Sequence, residues 1–509
     1  MINVFRWIEK RTLSSLVEPR LAAAKLVFLA GLSGVVYWLA FVRPANLLEI
    51  YDQARPDLYY LYAAGSPVHL GIILAFIVLA VMYWLAYRLV QQMQGGAGWI
   101  IVLGGSAAFA AILMFVFPFD AADIFDYIIH GRMAPVYGGN PYLNIPRQFP
   151  HDPFYPYVAW KDDPSPYGPV WEILAGITSH LAGDGIVANI WAYKLIPGLF
   201  LFGSLGVVAL VLRQEAPKQA LAGTLLLAWN PLVLYETWAH GHNDMVMVFW
   251  ILAAVWAISR QRYLLSVMSL VISALVKFVP VLLIPVALAI ALRELPDLRR
   301  RIVFLVQTAA GAILIGVVAY SPFWYGPEAV TVVNRTRLFT SSIPAVIYYT
   351  LRDRLGVDEA ASLVAAGALV VTLLFVIWQA YLALRGGGWQ RFTQSSFNIL
   401  AFYLLVTCLW FQQWYTVWLI GLAPLLFWKQ ARRFAILFGF AALSKQLLAG
   451  PILFLPRPTL HQPVLEIWFT LGVLGIPWLY ALYTLWSSRR RSRRSSRRSS
   501  RPAEAKPTT

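Results

Sequence analysis

Several windows of this chain run for roughly 20 residues without a charge at their centres, among them Lys25 to Val42, His69 to Val90, Trp99 to Phe119 and Val464 to Trp486. A helix of about 20 apolar residues spans the hydrocarbon layer of a bilayer. Inside that layer only helices and closed barrels satisfy their own backbone groups. One hydrophobic core in water cannot absorb so many such runs, because 59% of the residues are hydrophobic and 13% charged, against about 45–50% and 25% in soluble domains. The expected class is all-α, a polytopic integral membrane protein with about 12–14 transmembrane helices.

The basic residues order those helices. Arg88, Arg213 with Lys218, Arg260 with Arg262, Arg293 with Arg299 to Arg301, Arg385 with Arg391, and Lys429 with Arg432 and Arg433 all fall on one side, together with both termini. The positive-inside rule makes that side cytoplasmic. Arg6, Lys10, Arg11, Arg20 and Lys25 precede the first run without a small-residue cleavage site, so it is expected to stay as an anchor. Two stretches leave the span count open: Pro169 to Leu181, and Tyr263 to Leu292, which must be a hairpin broken near Lys277 to Pro280.

The net charge of +17 owes much to an Arg/Ser tail, Arg489 to Arg501, that follows a span directly. It fits an anchor on anionic headgroups, or a stretch that fixes orientation alone, better than a nucleic-acid arm. Cys408, the single cysteine, permits no internal disulfide. The expected organisation is a membrane domain over 1–486, with external loops at 120–167 and 321–343, and a disordered basic cytoplasmic tail at 487–509. Long loops opposite short turns point to a working face outside the cytoplasm. With no Gly-rich phosphate loop and no soluble nucleotide-binding domain, neither ATP nor a nucleotide sugar is the expected substrate.

The sharpest polar cluster is Phe119-Asp120-Ala121-Ala122-Asp123-Ile124-Phe125-Asp126-Tyr127, at the start of the first external loop. In a helix, steps of three keep the carboxylates near one face with Asp123 central. Glycosyl transfer from a lipid phosphate needs one such base for the acceptor hydroxyl, while the departing phosphate needs little acid help. Asp123 and Asp120 are the catalytic candidates. The plainer reading makes Asp120 an N-cap, Asp123 a first-turn acid and Asp126 a solvated residue; otherwise Asp126 contacts substrate.

Farther on, Trp229-Asn230-Pro231 and Glu236 precede His240-Gly241-His242-Asn243-Asp244. His240, His242 and Asp244 suit recognition of sugar hydroxyls. They also have the chemistry of divalent-metal ligands, at a spacing that matches no dedicated site. Asp244 as a helix cap is the bland alternative. Lys277 lies among some 30 apolar residues and requires an anion, which a lipid phosphate would supply; snorkelling to the headgroups is its other reading. Arg335 and Arg337 in the second external loop could grip the same phosphate. Tyr167, in Ser165-Pro166-Tyr167-Gly168-Pro169, and Trp410-Phe411-Gln412-Gln413-Trp414-Tyr415 fit an interfacial aromatic belt, although Gln413 beside Trp414 suggests a pocket wall.

The segment from Asp120 to Trp171, with Asp123-Ile124-Phe125-Asp126-Tyr127, His130-Gly131-Arg132, Asn140-Pro141-Tyr142 and Pro164-Ser165-Pro166-Tyr167-Gly168-Pro169, resembles bacterial polyprenol-phosphate-mannose-dependent mannosyltransferases of the GT-C fold. Gly241-His242-Asn243-Asp244 and Lys277-x-x-Pro280 are similar too, and the resemblance covers the middle third of the chain. It implies a multispan fold with an external active site, a loop aspartate as base in the place of Asp123, and inversion of a β-linked lipid sugar to an α-linked product. Asp126 stands where that family more often has a small hydroxyl residue, and Asp120 is an extra acid. Which carboxylate is the base, and whether a divalent metal is drawn in, stay open.

The expected function is transfer of a hexose, mannose by resemblance, from a polyprenyl-phosphate sugar to a glycan or glycolipid at the outer face of the plasma membrane. A transporter or flippase of a lipid-linked sugar is the contrasting class. It predicts internal pseudo-symmetry and working residues near the midplane. A noncatalytic lipid-binding subunit comes third and would tolerate loss of Asp123.

Overall fold

A computed structural model describes residues 19–52, 66–93, 95–326, 338–445 and 462–499 of the 509-residue chain. Arg335 and Arg337 lie outside the described residues. In chain order the main helices are α1 (Pro19–Tyr37), α2 (Pro67–Val90), α3 (Gly96–Leu113), α4 (Asp123–Tyr137), α5 (Pro169–Ala182), α6 (Ile186–Glu215), α7 (Ala220–Ala228), α8 (Asp244–Ser259) and α9 (Tyr263–Ala274). They continue with α10 (Ile284–Glu294), α11 (Leu298–Tyr320), α12 (Ile343–Leu355), α13 (Val357–Arg385), α14 (Gly388–Phe402), α15 (Val417–Leu422), α16 (Lys429–Ala442) and α17 (Gln462–Ser499). Among the described residues there is no strand, only two isolated bridges. The all-α polytopic class therefore holds.

Among the described residues, seven helical stretches are long and apolar enough to cross a membrane: Leu21–Val42, Pro67–Val90, Gly96–Leu113, Ile186–Glu215, Leu298–Phe323, Val357–Arg385 and Pro463–Thr484. Phe28, Ile100, Ile313 and Leu374 are exposed on them, as lipid-facing side chains should be. Other apolar runs that raise the sequence-based count are divided into shorter helices. The run from Tyr263 breaks after Ala274, where the sequence expects a break, and resumes as a 3-10 turn at Val279–Leu283 before α10. The two halves have 12 and 11 residues, and at 1.5 Å per residue each falls well short of a bilayer's ~30 Å. The last helix continues to Ser499, into the tail expected to be disordered.

At the centre lies α8, which packs on α6, α9, α14 and α15 and is buried along almost its whole length. α4 and α5 pack on each other and lean on α6. Gly131 permits the approach of α4 to α5, since a Cβ there would come within 2.8 Å of the Ala175 carbonyl.

One buried cation explains how the segment leading to Asp120 is held. Lys194 of α6 is fully buried, and its ammonium donates to the carbonyls of Leu113 and Met114, at 3.4 and 3.3 Å, and of Val116. These carbonyls lie at and beyond the C-terminus of α3, where the helix dipole favours positive charge. Leu113 O also accepts the Val116 N–H and Met114 O the Trp191 indole, at 3.1 Å each, so Val116 O relies most on the lysine. The bridge between Asn46 and Val116, with Leu47 N–H donating to Phe115 O and Phe117 N–H to Ala45 O at 2.7 Å each, pins the same stretch from the other side. Lys194→Met keeps the bulk but strands the Val116 carbonyl, so it should destabilise the protein by about 1–3 kcal/mol. Thermal unfolding in detergent reads this; an unchanged midpoint would show that other donors serve these carbonyls.

Candidate active site

Two of the three carboxylates of the first cluster, Asp123 and Asp126, lie three apart on one helix, and the third does not. α4 begins at Asp123 with Ala122 as its N-cap, so Asp120 lies outside the helix and caps nothing. Asp120 turns towards Gln413, whose amide donates to its Oδ2 at 2.5 Å. Asp126 is buried, not solvated, and accepts the Trp160 backbone N–H at 3.1 Å. Asp123, in the first turn of α4, is half-buried, and among the described residues nothing hydrogen-bonds or ion-pairs with its carboxylate. Its chain neighbour Ile124 packs against Gly241, which places Asp123 beside the histidine loop.

That loop is built from the backbone outward. Asn230 caps a single turn at Pro231–Leu234, accepting the N–H groups of Leu232 and Val233. A π turn, Tyr235–Ala239, follows; such turns recur at functional sites because the extra residue redirects side chains. Gly241 then takes φ +70°, a conformation that favours glycine. Glu236, His240, His242 and Asp244 all end up buried.

His242 stacks on Trp414, ring centroids 4.1 Å apart, and its Nδ1 lies 2.9 Å from Glu236 Oε2, too obliquely for a hydrogen bond. The Gln413 amide also donates to Glu236 Oε1 at 3.1 Å. His240 takes the Asp120 backbone N–H on Nε2 and faces Tyr235 O through Nδ1, both at 3.3 Å. Ligand atoms of Asp120, Glu236 and His240 all lie within 4.8 Å of one another. The sequence offered His240, His242 and Asp244 for recognition of sugar hydroxyls, with metal binding only as their alternative role; the ligand atoms that meet among the described residues share only His240 with that trio.

Asp244 opens α8 after Asn243 and is not its cap. Its Oδ1 accepts from the Lys277 ammonium at 2.9 Å and the Trp418 indole at 2.5 Å. The anion that Lys277 requires is therefore already in the protein. Lys277 also donates to Asn243 Oδ1 at 3.3 Å and sits between the rings of Tyr415 and Tyr167, at 5.2 and 5.8 Å. An ammonium has three donors, and two are engaged.

Tyr167 reaches this place because the segment between α4 and α5 zips onto itself and onto the α9 break. Asn140 Oδ1 accepts the Tyr142 N–H at 3.0 Å; the Tyr142 hydroxyl donates to Tyr167 O, also at 3.0 Å; and Ser165 N–H donates to Pro141 O at 2.8 Å. Gly168 N–H then donates to Val276 O and Val170 N–H to Leu275 O. Away from the site, buried Arg132 binds Asp152 and Asp184 at 2.7 Å each and anchors the loop.

Glu172 of α5, outside the seven spans, is pushed up to about 8 by burial, against a smaller opposing effect of the Ser165 hydroxyl that donates to it at 2.5 Å. Its folded pKa lies above the unfolded value, so its contribution to stability is whole at low pH. That contribution is lost as pH rises from about 4.5 through 8. Melting followed from pH 5 to 9 should fall through that window, and Glu172→Gln should flatten this component; an identical pH profile in the variant would contradict the assignment.

The opposite wall is held by Thr340, which pairs with the Leu409–Phe411 stretch. Lys445 also holds it, donating to Phe411 O and Gln412 Oε1 at 2.6 and 2.7 Å. Of the sequence-derived candidates, Asp120, Asp123, Tyr167, His240, His242, Asp244, Lys277, Gln413 and Trp414 converge here, while the Asp126 carboxylate is bonded to the Trp160 backbone. Sequence reasoning gave no role to Glu236, Lys194, Trp418 or Lys445. A lone lysine in an apolar run, the signal used for Lys277, marks Lys194 as well.

Comparison with known proteins adds a family. Residues 21–293 match the family described as "Alpha-(1->6)-mannopyranosyltransferase, N-terminal domain". The chain is 22% identical over 397 residues to Alpha-(1->6)-mannopyranosyltransferase B of Corynebacterium glutamicum, covering 70% of this chain and 64% of that relative. It is 21% identical over 227 residues to Alpha-(1->6)-mannopyranosyltransferase A of the same organism, covering 42% of this chain and 46% of the relative. To Alpha-(1->6)-mannopyranosyltransferase A of Mycobacterium tuberculosis it is 25% identical over 219 residues, 42% of this chain and 41% of the relative. The matches thus span from about two fifths to under two thirds of the relatives' own lengths.

Proposed function

Since the chain belongs to the alpha-(1->6)-mannopyranosyltransferase family whose N-terminal domain matches residues 21–293, we propose that it transfers mannose from a polyprenyl-phosphate carrier to a glycan or glycolipid acceptor. The transfer takes place on the extracytoplasmic side of the plasma membrane, with inversion. The observation that carries this reading is Asp123: a half-buried carboxylate without a hydrogen-bond partner among the described residues, at the edge of a site otherwise made of buried, mutually bonded polar groups. A base must be free to take a proton, and Asp123 is the free one.

In this mechanism Asp123 accepts the proton of the attacking acceptor hydroxyl as its oxygen forms a bond to the anomeric carbon. The bond from that carbon to the phosphate oxygen breaks, and the electron pair leaves with the lipid phosphate. Lys277, through its third donor and between Tyr167 and Tyr415, faces the negative charge that develops on the phosphate. His242 on Trp414, with Gln413 nearby, forms a wall that binds sugar through stacking and a few placed polar groups. Asp244 keeps Lys277 in position.

The test is a choice of donors. Purified protein in detergent with a glycolipid acceptor should incorporate radiolabel from polyprenyl-phosphate mannose and none from GDP-mannose. Incorporation from the nucleotide sugar alone would overturn the reading.

A further inference from the structure

We propose that Asp120, Glu236 and His240 form a binding site for one divalent first-row cation, manganese or zinc, beside the base. Two carboxylates and an imidazole are a mixed oxygen and nitrogen donor set of the kind such ions take. Their ligand atoms lie within 4.8 Å of one another. Ligands bound at about 2.0–2.2 Å stand about 3 to 4 Å apart, so small side-chain rotations close the site.

Three further observations point to a ligand. Glu236 is 1% exposed, its Oε2 makes no hydrogen bond, and the cation-forming group that touches it among the described residues is His242. His242 balances this carboxylate only when protonated, so with a neutral imidazole a bound cation would be its counter-charge. His240 faces the Tyr235 carbonyl through Nδ1, the arrangement by which ligating histidines fix their tautomer; its Nε2, which takes the Asp120 N–H at a long 3.3 Å, would exchange that contact for the ion. The Gln413 amide bridges Asp120 and Glu236 at 2.5 and 3.1 Å, and half a turn of that amide replaces its NH₂ with a fourth oxygen donor.

Three protein ligands leave coordination positions open. A phosphate oxygen of the donor would fill one, so that the ion and Lys277 share the charge of the leaving group. That role rests on the proposed transfer reaction; the binding of the ion does not.

The experiment reads binding without donor or acceptor. Purified wild type, stripped with chelator and titrated with Mn²⁺, should show about one bound ion per chain by electron paramagnetic resonance, displaceable by Zn²⁺, and a raised melting temperature. Glu236→Gln and His240→Gln should each weaken binding at least tenfold, and Asp120→Asn serves if either does not fold. Asp123→Asn should bind as wild type does. Absence of stoichiometric binding by the wild type, or equal binding by all the ligand variants, overturns the site. A failed transfer assay leaves this result standing, and failed binding leaves the transfer assay standing.

Discussion

Asp123→Asn should reduce turnover by about 10²–10⁴-fold, the share a general base supplies, with donor affinity and melting temperature unchanged. The substitution keeps size and shape, and Asp123 lacks hydrogen-bond and ion-pair partners among the described residues, so no buried group is stranded. Single-turnover rates at saturating lipid donor separate the chemical step from binding. The companion variant Asp120→Asn disturbs a hydrogen bond to Gln413 and, by the cation proposal, a ligand. It should lower affinity for a metal before it lowers the intrinsic reactivity of the acceptor. Retained turnover in Asp123→Asn would move the base to another carboxylate.

The largest structural effect belongs to a glycine. Gly168→Ala would place a Cβ 2.0 Å from the Leu275 carbonyl oxygen and 2.4 Å from its carbon. Both atoms are backbone, in the strand-like contact that joins Gly168 and Val170 to Val276 and Leu275. Backbone cannot give way as a flexible side chain does, so the clash lies at the upper end of overpacking costs, about 3 kcal/mol or more. The loop must lift from the α9 break, which carries Tyr167 away from Lys277. Gly168→Ala should therefore lower the melting temperature and abolish transfer together. Gly104→Ala, on a helix face where an added methyl meets nothing within 4 Å, should leave both unchanged or raise stability slightly. Normal folding and activity in Gly168→Ala would mean that the loop does not dock as described.

How far the sequence reveals this architecture depends on which physics sets each feature. Apolar runs without central charge identify long spans such as α2 and α6, because bilayer thickness imposes one length on all of them. The break at Lys277 to Pro280 is legible for the same reason, through a proline and a lone charge. The start of α8 is not, since it follows a π turn and a glycine turn set inside otherwise apolar sequence. At the site, Asp123 and the His240–Asp244 cluster stand out as polar density at the end of an apolar run. Their partners do not: Gln413 meets Asp120 across 293 positions, and Lys277 is neutralised by Asp244 across 33. Contacts at such separations leave no local pattern. Steps of three put neighbouring carboxylates near one face if the segment is helical; that condition is met for Asp123 and Asp126 and not for Asp120, because α4 starts at Asp123.

The direct displacement at the heart of this account is tested best by the anomeric configuration of the product. Purified protein would be given β-linked polyprenyl-phosphate mannose carrying ¹³C at the anomeric carbon, together with a glycolipid acceptor, and the one-bond carbon–hydrogen coupling of the product read by nuclear magnetic resonance. A single displacement with Asp123 as base predicts an α-linked mannoside. A β-linked product would require two displacements through an enzyme-bound sugar and would contradict it.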